Sequence, residues 1–326
     1  MREPTETFRL AVLNPGGRDA AQSFDDGPGA PDDRVHAPVN YHAYAACTHG
    51  MFCRDVREIA GRTDAVLLLL GSSLRAALRA LEALRAGGCT VVVGWKETGA
   101  AQVARRLDDA RNIELFRRIC AGSHGAISST PELVGLYRAA GCRLVEYIPT
   151  PYPVDDARWN FSRPLAQRTG VFVGTREWGV HSRAHASALL QACASGATVT
   201  VCNTEGRAGR RRLAALGCAN LRVIEGRVPY TEHLRAMASC RVVFQQDASQ
   251  VPGQVAGDAL LCRMPCVGGN GAVDREAFES SDLGRLLTDD AAWNHAVDAS
   301  QARAMQRLAY APIAVQLGEF FRRARG

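Results

Sequence analysis

The feature that most limits how this chain can fold is an alternation of short apolar runs with helix-forming segments, broken once and then restarted. The run AVLLLL at 65–70 is followed by LRAALRALEALRA at 74–86, which Gly87 and Gly88 end. Apolar runs of this length without polar alternation fit strands buried on both faces, and a strand–helix alternation implies a parallel sheet covered by helices. In the first half the spacing predicts further strands at 8–14, 89–95, 125–128 and 144–148. It predicts helices around 100–109 and 113–120, a helix at 131–140 capped by Thr130, and a helix that follows the stretch 40–50 and runs through Ile59. The stretch 19–40, rich in Asp, Pro and Gly, reads as a long loop.

The run PTPYP at 149–153 and the polar stretch 155–168 interrupt the pattern. Strands are then expected at 170–174, 197–202, 221–224 and 242–244, with helices at 184–194, 207–216, 231–239 (Thr231 as cap) and 255–262. After Ala277 the chain reads as mostly helical, with amphipathic spacing over 302–321. The expected organisation is α/β: a first domain over 1–154, a linker over 155–168, a second domain over 169–300, and C-terminal helices over 301–326 that can cross back onto the first domain. Two such domains imply a cleft, and clefts are preferred places for small-molecule ligands.

Composition narrows the class. With 47% hydrophobic and 22% charged residues in 326, the chain reads as an ordinary globular protein. The formal charge of +6 is a mild bias toward anionic partners. The 11 cysteines include no Cys-x-x-Cys pair, and MREPTETF has no apolar signal core, which together point to a reducing cytoplasm. The run 65–70 is too short to span a bilayer, leaving a peripheral membrane role open. No His/Cys cluster has metal-ligand spacing, and neither a phosphate-loop motif ending in Gly-Lys-Ser/Thr nor a Gly-x-Ser-x-Gly elbow is present.

Ligands of open parallel sheets bind past the carboxyl ends of the strands. The segment VVFQQDASQVPGQVAGDALLCRMPCVGGNGAVD, residues 242–274, reads as strand, glycine-containing loop, helix and strand, and it puts Gln250, Gly253, Gln254 and Asp258 at such a place. Gly16 and Gly17 follow the first strand, either as a tight turn or as a close approach to a phosphate. Arg176 and Arg183 follow the strand ending at Gly174, and arginine is a planar, permanently charged phosphate ligand. His42 and His49 are structural or ligand-contacting, and Asp25 and Asp26 offer a general base for an inverting reaction.

In the order Gly174-Thr175-Arg176 with Arg183 beyond, then VIEGRVPYTEHLRAMASCRVVFQQD at 223–247, then Gln250 and Asp258 eight apart, then CRMPCVGGNG, the second half resembles the nucleotide-sugar-dependent glycosyltransferases of GT-B architecture, above all the large retaining class. IPTPYPVDDARW at 148–159 resembles that family's interdomain segment. The resemblance implies two Rossmann-like domains facing a central cleft. It implies metal-independent hexosyl transfer, with retention, from a nucleoside-diphosphate sugar, most of all a UDP-sugar, and no separate cofactor. The implied acceptor is a saccharide, lipid-linked glycan, small molecule or nucleic acid. Gly16, Gly17, Gly253, Gln254 and the two arginines would hold the diphosphate, Asp258 the ribose, and His49 and Gln250 the reacting sugar. The family has a glutamate where Gln250 stands, so this side chain orients a sugar without supplying negative charge. A nucleotide-sugar epimerase and a non-catalytic nucleotide-sugar-binding protein or partner subunit are the competing readings.

Overall fold

A computed structural model of the chain describes residues 8–32, 36–63, 65–71, 73–96 and 99–326. The chain divides into two compact units, Met1–Asp155 with Leu308–Gly326, and Asp156–Arg307. The expected loop at 19–40 includes residues 33–35, which lie outside the described set.

The first unit is built in the order β1 (Ala11–Leu13), β2 (Gln22–Ser23), α1 (Tyr41–Cys47), β3 (Met51–Cys53), β4 (Ala65–Leu70), α2 (Leu74–Ala86), β5 (Thr90–Trp95), α3 (Ala100–Arg106), α4 (Ala110–Gly122), β6 (Gly125–Ser128), α5 (Val134–Ala139) and β7 (Val145–Tyr147). Its sheet runs β2-β3-β1-β4-β5-β6-β7, parallel except for β2 at the edge. Every residue of β4 and β5 is buried, as central strands covered on both faces require. Helix α2 turns Leu74, Ala77, Leu78, Leu81 and Leu84 onto the sheet, and the Ser73 hydroxyl accepts from the Ala76 amide to cap it.

The helix expected to follow residue 50 and run through Ile59 does not form: the helix lies earlier, at Tyr41–Cys47, and β3 and a single 3-10 turn at Val56–Glu58 take its place. The chain turns through His49 at φ 51°. A Cβ on Gly50 would sit 2.1 Å from the Leu10 carbonyl oxygen, so only glycine lets β3 lie beside β1.

The second unit comprises β8 (Val171–Val173), α6 (His185–Ala194), β9 (Val199–Asn203), α7 (Arg207–Ala215), β10 (Leu221–Glu225), α8 (Tyr230–Ala238), β11 (Val242–Phe244), α9 (Gln254–Leu261), β12 (Cys266–Val267), α10 (Ala272–Ala277), α11 (Leu283–Thr288) and α12 (Asp290–Arg307). Its all-parallel sheet runs β10-β9-β8-β11-β12. The chain therefore reverses direction across the sheet between β8 and β11. Thr231 does not cap α8; Pro229 holds that position and the helix starts at Tyr230. The stretch 156–168 is docked on this unit: Trp159 is buried, the Phe161 amide bonds to the Leu261 carbonyl at 2.9 Å, and Arg168 bonds to the Cys262 carbonyl at 2.8 Å.

The final helix α13 (Tyr310–Arg325) returns to the first unit and packs on α1 and β5. The single amphipathic span expected over 302–321 is thus two helices. Proline is tolerated in a first helical turn but clashes with the carbonyl four residues back in a continuous helix. Pro312 stands in the first turn of α13, and the Leu308 carbonyl it would oppose accepts from the Tyr152 amide at 2.8 Å.

Candidate functional site

In an open parallel sheet, the loops that leave the carboxyl ends of two neighbouring strands in opposite directions open a crevice. In the second unit these are the loops after β8 and β11, and they carry Arg176, Arg183, Gln250 and Gly253.

The two loops are tied closely together. The Gly174 amide donates to the Phe244 carbonyl at 3.1 Å, and a Cβ on Gly174 would stand 2.1 Å from Val255 Cγ1. The end of β8 thus lies directly against the first turn of α9. The Ala248 amide bonds to the Ser182 carbonyl at 2.7 Å, and the Ser182 and Ser249 hydroxyls meet at 2.9 Å. Asp247, 6% exposed, accepts from the Ser249 amide at 2.8 Å and faces Arg183 Nε at 3.7 Å. Arg183 also reaches Glu177 at 3.2 Å, so two carboxylates already neutralise it. Arg176 is exposed, and no described ion pair includes it.

Behind these loops, Thr175 Oγ1 and His185 Nδ1 lie 3.1 Å apart, both buried. Burial pushes the His185 imidazole down to about 4, which keeps it neutral at pH 7. Trp178 stands edge-on to His185 at 4.8 Å.

Gln250 adopts φ 52°, and its amide donates to Asn270 Oδ1 at 3.0 Å. Gly253, at φ 98°, precedes α9, and no side-chain cap hydrogen bond closes the start of that helix, the end that favours an anion. Gln254 opens the helix and is exposed. Beneath the turn, Asp274 accepts from Gln245 Nε2 at 2.8 Å, and a Cβ on Gly253 would come 3.1 Å from Asp274 Oδ2. Burial raises the Asp274 carboxyl to about 7.

Asp258 lies one turn into α9 and is 3% exposed. Its Oδ1 accepts from the Tyr230 hydroxyl at 2.5 Å, and its Oδ2 faces His233 Nε2 at 3.7 Å. Burial disfavours charge on His233, but the hydrogen bonds to Asp258 and Cys202 outweigh it and raise the imidazole to about 9. The sequence reading singled out neither Tyr230 nor His233, although a Tyr and a His three apart opening a helix place both on one face.

In the first unit, Gly16 and Gly17 follow β1 at the carboxyl edge, where Gly17 is pressed against the buried Asn14. His49 is not brought to that edge. It precedes β3, which pairs in parallel with β1, and its exposed ring contacts the Asp25 carbonyl at 3.1 Å. Asp25 is itself paired with Arg9 at 2.6 Å, so both belong to the amino edge of the sheet. The histidine on the carboxyl side is His42, at the start of α1: it is 6% exposed, stacked on Phe52 at 3.9 Å and His36 at 5.0 Å, and its Nε2 has no hydrogen-bond partner among the described residues. Nearby, Lys96 pairs with Asp19 at 2.6 Å.

No family model matches the sequence, and neither does any curated protein sequence. Solved structures do match the fold. AviGT4, a glycosyltransferase involved in avilamycin A biosynthesis, aligns over 97% of this chain and 98% of its own, with TM-score 0.52 and 17% identity. A UDP-forming α,α-trehalose-phosphate synthase from Burkholderia xenovorans aligns over 87% of this chain and 77% of its own, with TM-score 0.51 and 13% identity. A trehalose-6-phosphate synthase studied for glycosyltransfer with retention aligns over 80% and 74%, with TM-score 0.54 and 12% identity. The chain has the α/β GT-B fold of glycosyltransferases, with two parallel-sheet units. No helix among the described residues is long and apolar enough to cross a membrane.

Proposed function

We propose that this protein is a glycosyltransferase that moves a hexosyl group from a UDP-sugar to an acceptor hydroxyl. The observation that carries the reading is the junction of β8 with α9, where an exposed arginine and uncapped helix amides meet at the reversal point of the second sheet. Supporting it, the neighbouring structures include a UDP-forming synthase and a glycosyltransferase similar in length to this chain.

In the reaction, the acceptor oxygen bonds to the anomeric carbon while the bond from that carbon to the diphosphate breaks. The acceptor proton passes to the leaving phosphate oxygen or to solvent. Negative charge grows on the diphosphate, and preorganised donors aimed there lower the barrier. Arg176 and the first amides of α9, reached over the side-chain-free Gly253, supply those donors, while Gln254 lines the same opening. Arg183 joins only by exchanging Asp247 and Glu177 for phosphate oxygens. The pentose lies against Asp258, and Gln250 orients the sugar by hydrogen bonds. Transfer with retention follows the trehalose-6-phosphate synthase neighbour.

Thermal shifts with UDP, ADP, GDP and their sugars test the donor, since a ligand of the native state raises the melting temperature by mass action. A shift with UDP is expected; no response to any of them would defeat the proposal. Gln250, with an amide in place of a carboxylate, favours one second reading, a non-catalytic nucleotide-sugar-binding protein. UDP-sugar binding without UDP release across a panel of saccharide, lipid-linked and small-molecule acceptors would select it.

A further inference from the structure

Asp274 takes part in no step of the proposed reaction, yet the glycine turns of the crevice are built around its carboxyl group. It is 7% exposed. A Cβ on Gly253 would come 3.1 Å from its Oδ2, one on Gly271 would come 2.7 Å from the same oxygen, and one on Gly269 would overlap Oδ1. Three glycines from the loops after β11 and β12 are thus packed against one acid. Its Oδ1 accepts from Gln245 Nε2 at 2.8 Å, and the Cys266 thiol lies 3.7 Å from that oxygen. Among the described residues no ion pair includes it. Asp247, beyond β11, opposes a charge there, and Arg183 faces Asp247. On α9 the acid is Asp258, held by Tyr230 and His233. On α10 itself Arg275 is exposed, and Glu276 pairs with Arg307 of α12 at 2.9 Å.

We propose that Asp274 is a proton-carrying positioning residue: when the anionic group of the nucleotide docks at the start of α9, this carboxyl takes a proton from solvent, and the glycine turn above it receives the anion in that neutral form. The inference rests on the proposed nucleotide-binding role of residues 156–307 and names the group that couples that binding to pH. Gly253 stands between the carboxyl and the first turn of α9. A phosphate at that turn and an ionised Asp274 would be two negative charges about one residue apart, and burial keeps their repulsion strong. Protonation removes the repulsion and leaves an oxygen to accept from Gln245. The balance is one proton lost by the buffer and one gained by a carboxylate oxygen, with no other bond changed. Burial alone brings this carboxyl to about 7, so the proton is exchanged near neutral pH. An anion that binds the protonated form better must tighten the hold on the proton by the same factor.

The test is calorimetric binding of UDP and of uridine to the full chain at pH 7 and pH 8.5. Wild-type affinity for UDP is expected to fall by about threefold or more over this interval, as a tenfold coupling to a group titrating near 7 requires. Asp274→Asn keeps the acceptor for Gln245 without a charge. It is expected to lose that fall and to bind UDP more tightly than the wild type at pH 8.5 by the same factor. Uridine, which carries no phosphate, is expected to show one pH dependence in both proteins. A proton count needs no variant: in the wild type at pH 7.5, two buffers of different ionisation enthalpy should show about half a proton more taken up with UDP than with uridine. If UDP affinity falls as steeply in Asp274→Asn as in the wild type, or if UDP takes up no more protons than uridine, the inference is overturned while nucleotide binding stands. If no nucleoside diphosphate binds the wild type at either pH, the proposed function fails and this inference with it.

Discussion

At the scale of single residues, the two arginines first grouped together separate. Arg176 is exposed and outside every described ion pair, whereas Arg183 spends its charge on Glu177 and Asp247 and ties the β8 loop to the β11 loop. Arg176→Ala should therefore weaken UDP by about tenfold while leaving uridine unchanged, because a charge-assisted phosphate contact is lost and no packing is. Calorimetry with both ligands checks this, and equal losses would refute a phosphate role. Asp274 makes a second case. Burial raises its carboxyl to about 7, so between pH 4 and 7 the folded state holds a proton that the unfolded state has released. Stability must then fall as pH rises through that window. Asp274→Asn keeps the acceptor for Gln245 and removes the charge, so it should raise stability at pH 8 by about 1–4 kcal/mol and change little at pH 4. Urea denaturation at both values measures the difference; an equal effect at both would exclude the mechanism. The pairing of Arg183 with Asp247, and the acid beneath Gly253, were not legible in the sequence, because side chains far apart in the chain meet only once the sheet has formed.

At the scale of elements, the position of the crevice depends on how closely β8 can approach α9. A side chain at 174 would occupy the space of Val255, so Gly174→Ala should destabilise the second unit by about 1–3 kcal/mol. Val255→Ala removes the γ carbons, leaving the nearest remaining Val255 atom at 3.3 Å. The double variant should therefore recover most of the loss introduced at 174, as a thermodynamic cycle would show. Additive effects would mean that this contact does not set the approach. Helices and buried strands with strong periodicity, such as β4 followed by α2, could be read from residue pattern alone. What misled the pattern were places where one residue overrides periodicity. Gly50 lets β3 begin where a helix was expected, Pro229 takes the cap position ahead of Thr231, and Pro312 divides the last amphipathic span into two helices. Motif order singles out Gln250, Gly253 and Asp258; it does not single out Tyr230 and His233, because they meet Asp258 only across two helices once the unit has folded.

At the scale of the whole chain, sequence order and structural membership part company. Residues 308–326 come last but belong to the first unit, where Ile313, Leu317, Phe320 and Phe321 are buried in one cluster with Tyr41, Tyr44, Leu67 and Val92. Tyr310 bonds to the Pro38 carbonyl at 2.6 Å, and Arg323 pairs with Glu146. Fully burying a large apolar side chain contributes about 1.5–3 kcal/mol, so these four account for roughly 6–12 kcal/mol. A domain's net stability is about 5–15 kcal/mol, so losing the last helix removes a quantity comparable to the whole net margin by which the first unit is folded. A chain ending before Leu308 should thus lose the first unit rather than merely weaken it. Its second unit, with its own sheet and its own core of Val171, Val173, Leu189, Val199 and Val201, should persist. Limited proteolysis of this truncated chain should leave a protected core within 156–307 and digest residues 8–155, while far-ultraviolet dichroism falls by the first unit's share of helix and sheet. Adding α13 back as a separate peptide should restore protection of 8–155 in proportion to its concentration. Equal resistance of both units in the truncated chain would show that the first unit closes its core without the helix, and that the buried phenylalanines are dispensable to it.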